Sequence, residues 1–110
     1  MEFTYNQKMS MVKILLDLIS IDGKIDSREI FVFEKIKSEL GLMSEDHFKA
    51  CQYNSILCLS VIKEMADEQK QYYSKLMRDI IVADEEIEIN EAIAYDNICK
   101  FCDIKKAAVL

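Results

Sequence analysis

The chain has 110 residues, 51% of them hydrophobic and 31% charged, with two Gly, no Pro and no Trp. That length holds one domain with a core that needs no staples, and the scarcity of Pro and Gly excludes folds built on tight hairpins and leaves a helical one. The net charge of -6 excludes a phosphate-backbone partner, so no nucleic acid is expected.

The first amphipathic stretch begins at about Lys8, after a polar, aromatic-containing lead-in over 1–7 that reads as loose. Its stripe is Met11, Ile14, Leu15, Leu18 and Ile19, and Asp22-Gly23 ends it near Ile21. Lys13 and Asp17 interrupt what a secretory segment would need as an apolar run. A second helix starts after Asp26, an N-cap residue, with Glu29 at capping-box spacing. Val32, Phe33, Ile36 and Leu40 form its buried stripe, and Gly41 supplies a left-handed stop onto which Leu42 folds back.

Ser44 is the expected cap of a short third helix carrying Phe48 and Cys51, which breaks around Tyr53-Asn54-Ser55. A fourth, from Ile56 to about Met65, is so apolar through Leu57, Leu59, Val61 and Ile62 that it is expected near the centre of the fold. The longest charge-free run, 50–62, is too short to span a bilayer, so no membrane insertion is expected. Asp67 caps a fifth helix with Tyr73, Leu76, Met77, Ile80 and Ile81 inside; a sixth runs from about Ile89 to Phe101 with Ala94, Tyr95, Ile98 and Cys102 inside. A short tail over 105–110 follows.

Two acidic loops organise these elements. The first is Ile21-Asp22-Gly23-Lys24-Ile25-Asp26-Ser27-Arg28-Glu29, and the second is Ala83-Asp84-Glu85-Glu86-Ile87-Glu88-Ile89-Asn90-Glu91. Each carries an isoleucine expected inside, Ile25 and Ile87. Placing Asp22 on Asp84 aligns 12–42 with 74–104, with identities Lys13/Lys75, Asp17/Asp79, Ile19/Ile81, Ile25/Ile87, Glu29/Glu91 and Ile36/Ile98. Leu15/Met77, Leu18/Ile80, Phe33/Tyr95 and Leu42/Ile104 match in apolar character. The expected fold class is therefore all-α: a bundle of about six helices with two pseudo-symmetric helix–acidic loop–helix repeats, over about 8–42 and 67–104, joined by helices over about 44–65.

With Asp22-Gly23-x-Ile25-x-x-x-Glu29 leading into a helix that closes in Leu40-Gly41-Leu42, and the unit repeated, the chain resembles the TerB-like (tellurite-resistance type) domains. These also occur at the front of certain DnaJ-like membrane co-chaperones. The second unit departs from the pattern, with Glu85 for the Gly and Cys102-Asp103-Ile104 for Leu-Gly-Leu. The resemblance implies an all-α bundle with internal two-fold symmetry, a place in stress-response or tellurite-resistance systems, and shared acidic residues that bind a divalent cation.

The residues themselves point to Asp22, Glu29, Asp84 and Glu91 as candidate ligands, flanked by Asp26 and Glu88. Asp22 and Asp84 each follow a helix C-terminus, where the dipole disfavours negative charge and calls for compensation. An all-carboxylate set suits Ca²⁺ or Mg²⁺ rather than Zn²⁺. Helix capping alone also accounts for Asp26 and Glu29, and Asp in a turn bonds its own neighbours' amides. An EF-hand is excluded, because Leu18 and Ser20 (Ile80 and Val82 in the second copy) stand where its leading carboxylates belong.

Without a secretory signal the four cysteines read as reduced thiols; Cys99 and Cys102 form a Cys-x-x-Cys, but Cys51 and Cys58 fall on other helices, which disfavours zinc, and Cys102 aligns with Leu40 as a small buried hydrophobe. His47, the one histidine, reads as a surface residue. No nucleophile elbow, phosphate loop or His-Glu-x-x-His is present. The expectation is a cytoplasmic, non-enzymatic binding or scaffold module with a protein partner. Alternatives are an acidic 79–96 segment that docks a basic partner and, with less support, metal-assisted hydrolysis.

Overall fold

In the computed structural model, which describes residues 1–21, 23, 25–83 and 87–107, six helices follow one another: α1 (Tyr5–Ile19), α2 (Ser27–Glu39), α3 (Ser44–Cys51), α4 (Ser55–Lys63), α5 (Asp67–Ile81) and α6 (Ile89–Cys102). The architecture is an all-α bundle. Its buried side chains form one continuous cluster.

The element at the centre is α1. Met9, Met11, Val12, Leu15, Leu18 and Ile19 are all at most 1% exposed, and the helix packs on each of the other five. It begins earlier than the apolar stripe predicts. Thr4 caps it by accepting the Gln7 N–H at 3.1 Å, and Gln7 Oε1 accepts the Thr4 N–H at 2.9 Å. The lead-in is held too: the Phe3 ring lies tilted against Tyr72 with centroids 5.6 Å apart, and Gln69 Nε2 donates to the Glu2 carbonyl at 2.7 Å.

The expectation that α4 lies at the centre is wrong. It buries Cys58 and Ile62 against α1 and α6, while Ile56 and Leu57 are 69% and 66% exposed. Hydrophobicity all round a helix does not say which face has neighbours, and at nine residues α4 rests on the bundle with one side. The third helix departs similarly. Met43, not Ser44, is its N-cap, and Asp46 Oδ2 accepts the Met43 N–H at 2.8 Å. Phe48 and Cys51 are exposed, and Ala50 is the residue α3 buries.

The fifth helix starts at Asp67, but its N-cap is Ala66, whose N–H is accepted by Gln69 Oε1 at 2.9 Å. Tyr73, Leu76, Met77, Ile80 and Ile81 are buried as the spacing predicts. On α6, Tyr95 and Cys102 are buried as expected, Cys99 joins them, and Ala94 and Ile98 are half-buried. The start of the tail is ordered: the Ala107 N–H is shared between Ser74 Oγ at 2.8 Å and Tyr95 Oη at 2.9 Å.

Candidate functional site

Asp26 and Glu29 open α2. The Asp26 carboxylate accepts the Arg28 N–H at 2.8 Å and pairs with the Arg28 guanidinium through Nε and Nη2, each at 3.1 Å. That side-chain bond, followed by the Arg28 backbone bond, holds the Asp26 carboxyl below the usual range. Asp26 is thus occupied as a cap and ion-pair partner. Glu29, the third residue of the helix, turns inward and is only 2% exposed.

The second unit repeats this placement with different capping. Glu88 is the N-cap of α6 and makes no capping bond with its side chain. Glu91, again the third helical residue, is 2% exposed. A carboxylate is stable in such a position only with charge or hydrogen-bond compensation. The two loop aspartates predicted with them, Asp22 and Asp84, lie outside the described residues, as do Lys24, Glu85 and Glu86. Among the described residues no group of three or more His, Cys, Asp or Glu side chains comes together. The isoleucines of the two loops are not both interior: Ile25 is 67% exposed, whereas Ile87 is half-buried against the core.

The wider acidic segment is partly neutralised within the chain. Asp96 pairs with Lys100 at 2.9 Å and Lys106 at 3.5 Å, and Asp79 pairs with Arg78 at 3.1 Å. In the first unit, Asp17 is bound by Lys13 at 3.0 Å and by the Ser55 hydroxyl at 2.5 Å, which ties α4 to α1. Beside that contact a mostly apolar cleft of about 260 Å³ lies between α1, α4 and α6, with Leu18, Leu59 and Ile98 among its walls.

The two thiols of α6, Cys99 and Cys102, are interior. Burial pushes Cys99 and Cys102 up to about 11, and Cys102 Sγ donates to the Leu59 carbonyl at 3.4 Å. A thiol so far from ionisation is a poor nucleophile and a poor metal ligand.

His47 differs from its surface assignment. It is half-buried, with Nδ1 3.0 Å from Lys37 Nζ and its ring edge-on to Phe33 at 5.8 Å. Sequence spacing gave no sign of this pairing, because the two residues sit on different helices and meet only in the fold. The tyrosine bonds were equally hidden: Tyr73 Oη donates to the Met11 carbonyl at 2.8 Å, and Tyr95 Oη lies 2.8 Å from Ser74 Oγ. Complete burial pushes the Tyr73 phenol well above its ordinary value, which keeps it a donor.

No family model matches the chain, and no curated protein matches it. A solved structure does: the crystal structure of a protein of unknown function, PG1108, from Porphyromonas gingivalis W83 superposes with a TM-score of 0.84. At 21% identity over 99% of this chain and 91% of that one, the likeness is one of fold. Among the described residues no helix is long and apolar enough to cross a membrane.

Proposed function

We propose that the chain is a non-enzymatic, cytoplasmic binding module of TerB-like type, whose two acidic loops hold a divalent cation. The observation that carries this reading is the twin burial of Glu29 and Glu91. Each follows an acidic loop, each is the third residue of its helix, and each is 2% exposed. Capping explains Asp26 but does not require a glutamate interior to the bundle, and it does not require the same glutamate twice.

An internal two-fold, which the reading assumes, has support in the packing. α1 lies against α2 and α6, and α5 lies against α6 and α2, so each unit's first helix meets the other unit's second. Matched positions share burial: Leu15 with Met77, Leu18 with Ile80, Ile19 with Ile81 and Phe33 with Tyr95 are all at most 1% exposed. Extending the alignment by one residue pairs Met11 with Tyr73, and Tyr73 donates to the Met11 carbonyl.

The donor chemistry fits a hard cation. Asp22, Glu29, Asp84 and Glu91 are all oxygen ligands, which favours Ca²⁺ or Mg²⁺ over Zn²⁺. Bound there, the ion would bridge carboxylates contributed by both acidic loops. The test is thermal unfolding of EDTA-treated protein with Ca²⁺, Mg²⁺, Mn²⁺ or Zn²⁺, beside the double variant Asp22→Asn/Asp84→Asn. A ligand at one hundred times its Kd stabilises the native state by about 2.7 kcal/mol. Ca²⁺ or Mg²⁺ should raise the midpoint, and the double variant should abolish the rise. The absence of any shift with all four ions would overturn the proposal.

A second reading has its own observation. Ile89 and Ile93, one turn apart on α6, are 73% and 54% exposed beside Glu88, a mixture of apolar and acidic surface suited to a basic protein partner. Partner binding that weakens with salt and ignores divalent ions would favour it over the cation site.

A further inference from the structure

His47 reaches from α3 to α2, and what it meets there is an ammonium group. Lys37 lies in the last turn of α2 with its side chain 10% exposed. Its Nζ is 3.0 Å from Glu34 Oε1 and 3.0 Å from His47 Nδ1. The same Nζ stands 5.1 Å from the centre of the Phe33 ring. The imidazole is held edge-on between Phe33 at 5.8 Å and Phe48 at 6.0 Å.

An ammonium can only donate. Lys37 pairs with Glu34 and meets His47 as a donor, so Nδ1 is the acceptor, with the ring neutral and its proton on Nε2. Protonating Nδ1 would remove the acceptor and set two cations against each other at hydrogen-bond distance. The surrounding charges do not cancel this. From α2 the ring faces Lys37, which opposes its protonation, and Glu34, which favours it less. On α3 its neighbours are Asp46 and, in the same turn, Glu45 and Lys49. Asp46 is already engaged by the Met43 amide and by the Tyr5 hydroxyl of α1 at 2.6 Å.

We propose that the Lys37–His47 contact is a proton-operated latch, which holds α3 against α2 while His47 is neutral and releases it when Nδ1 takes a proton. The Tyr5–Asp46 bond joins α3 to α1 and does not involve the ring, so the release is local. It opens the α2–α3 junction, where a cleft of about 450 Å³ already lies between Lys37, Gly41 and Met43. Phe33, 1% exposed in the latched state, loses the imidazole that covers one edge.

The direction with pH follows from the ring's surroundings. Burial first, then the Lys37 ammonium, hold His47 below its ordinary value of 6.5. A base whose folded value is depressed is favoured neutral in the fold. The latch is therefore complete above the ordinary value and is lost as pH falls below it and through the lowered folded value.

The chain has a single histidine, so its ring titration can be followed without ambiguity by NMR. The experiment records the His47 ring signals and the exchange protection of the 44–51 amides between about pH 7.5 and about pH 5. It uses the unmodified chain, His47→Gln and Lys37→Met. Glutamine can accept the lysine's hydrogen bond but does not titrate, and methionine keeps the stem without the charge. The unmodified protein should lose protection in α3 by roughly tenfold, beyond the intrinsic pH effect, in step with a ring midpoint below 6.5. His47→Gln should show no such step, and Lys37→Met should move the ring midpoint upward. An α3 transition that persists in His47→Gln, or a ring midpoint indifferent to Lys37→Met, would overturn the latch.

Discussion

Asp103 stands where the first unit has Gly41, and both residues close a helix with left-handed backbone, at φ 56° and φ 72°. Each is followed by the same long bond: Leu42 N–H to the Lys37 carbonyl at 3.0 Å and Ile104 N–H to the Cys99 carbonyl at 2.8 Å. The second helix end thus keeps the glycine geometry without the glycine. A side chain in this region is strained, and the Asp103 carboxylate also sits at the negative end of a helix dipole. Asp103→Gly should raise stability by about 0.5–1 kcal/mol in urea titration, and Gly41→Ala should lower it by about 1 kcal/mol. Nothing lies within 4 Å of a Cβ at Gly41, so that cost is one of backbone conformation and not of collision. Sequence reading identified the Gly41 cap because glycine announces it. The Asp103 cap shows up only by superposition on the first unit.

At the scale of elements, the helices were legible from their spacing, and their exposures only where a single face was apolar. Strong 3.6-residue periodicity located α1, α2, α5 and α6, because a helix with one apolar stripe states which face is inside. α4 makes no such statement: with hydrophobic residues on every side, it reads as central and proves to be half-covered. This difference can be measured. Ile62→Ala, at a site with no exposure, should cost about 2–4 kcal/mol by leaving a cavity. Leu57→Ala, at 66% exposure, should stay within about 0.5 kcal/mol by the same denaturation. Equal costs at the two positions would mean that α4 is buried on both sides in solution. The short α3 went astray for a related reason. Over eight residues a stripe is too brief to phase, and its anchors, Asp46 to Tyr5 and His47 to Lys37, are polar contacts with other helices.

For the whole molecule, α1, α5 and α6 are joined through buried polar contacts as well as apolar packing. Tyr73 pins α5 to α1 through the Met11 carbonyl, and Tyr95 with Ser74 pins α6 to α5 and holds Ala107. Tyr73→Phe removes one buried hydroxyl bond and nothing else of the ring. It should lower stability by about 1–2 kcal/mol, read from thermal unfolding, with the helical circular dichroism unchanged. By itself the sequence determined the helical class, the approximate positions of all six helices and the stop at Gly41. These are local matters of propensity, periodicity and turn chemistry, which a chain carries along its own length. Only the tertiary structure decided that α1 and not α4 is the centre, that Glu29 and Glu91 are interior, and that His47 meets Lys37. Burial and through-space pairing depend on which neighbouring elements arrive, and that is settled only when all of them pack at once.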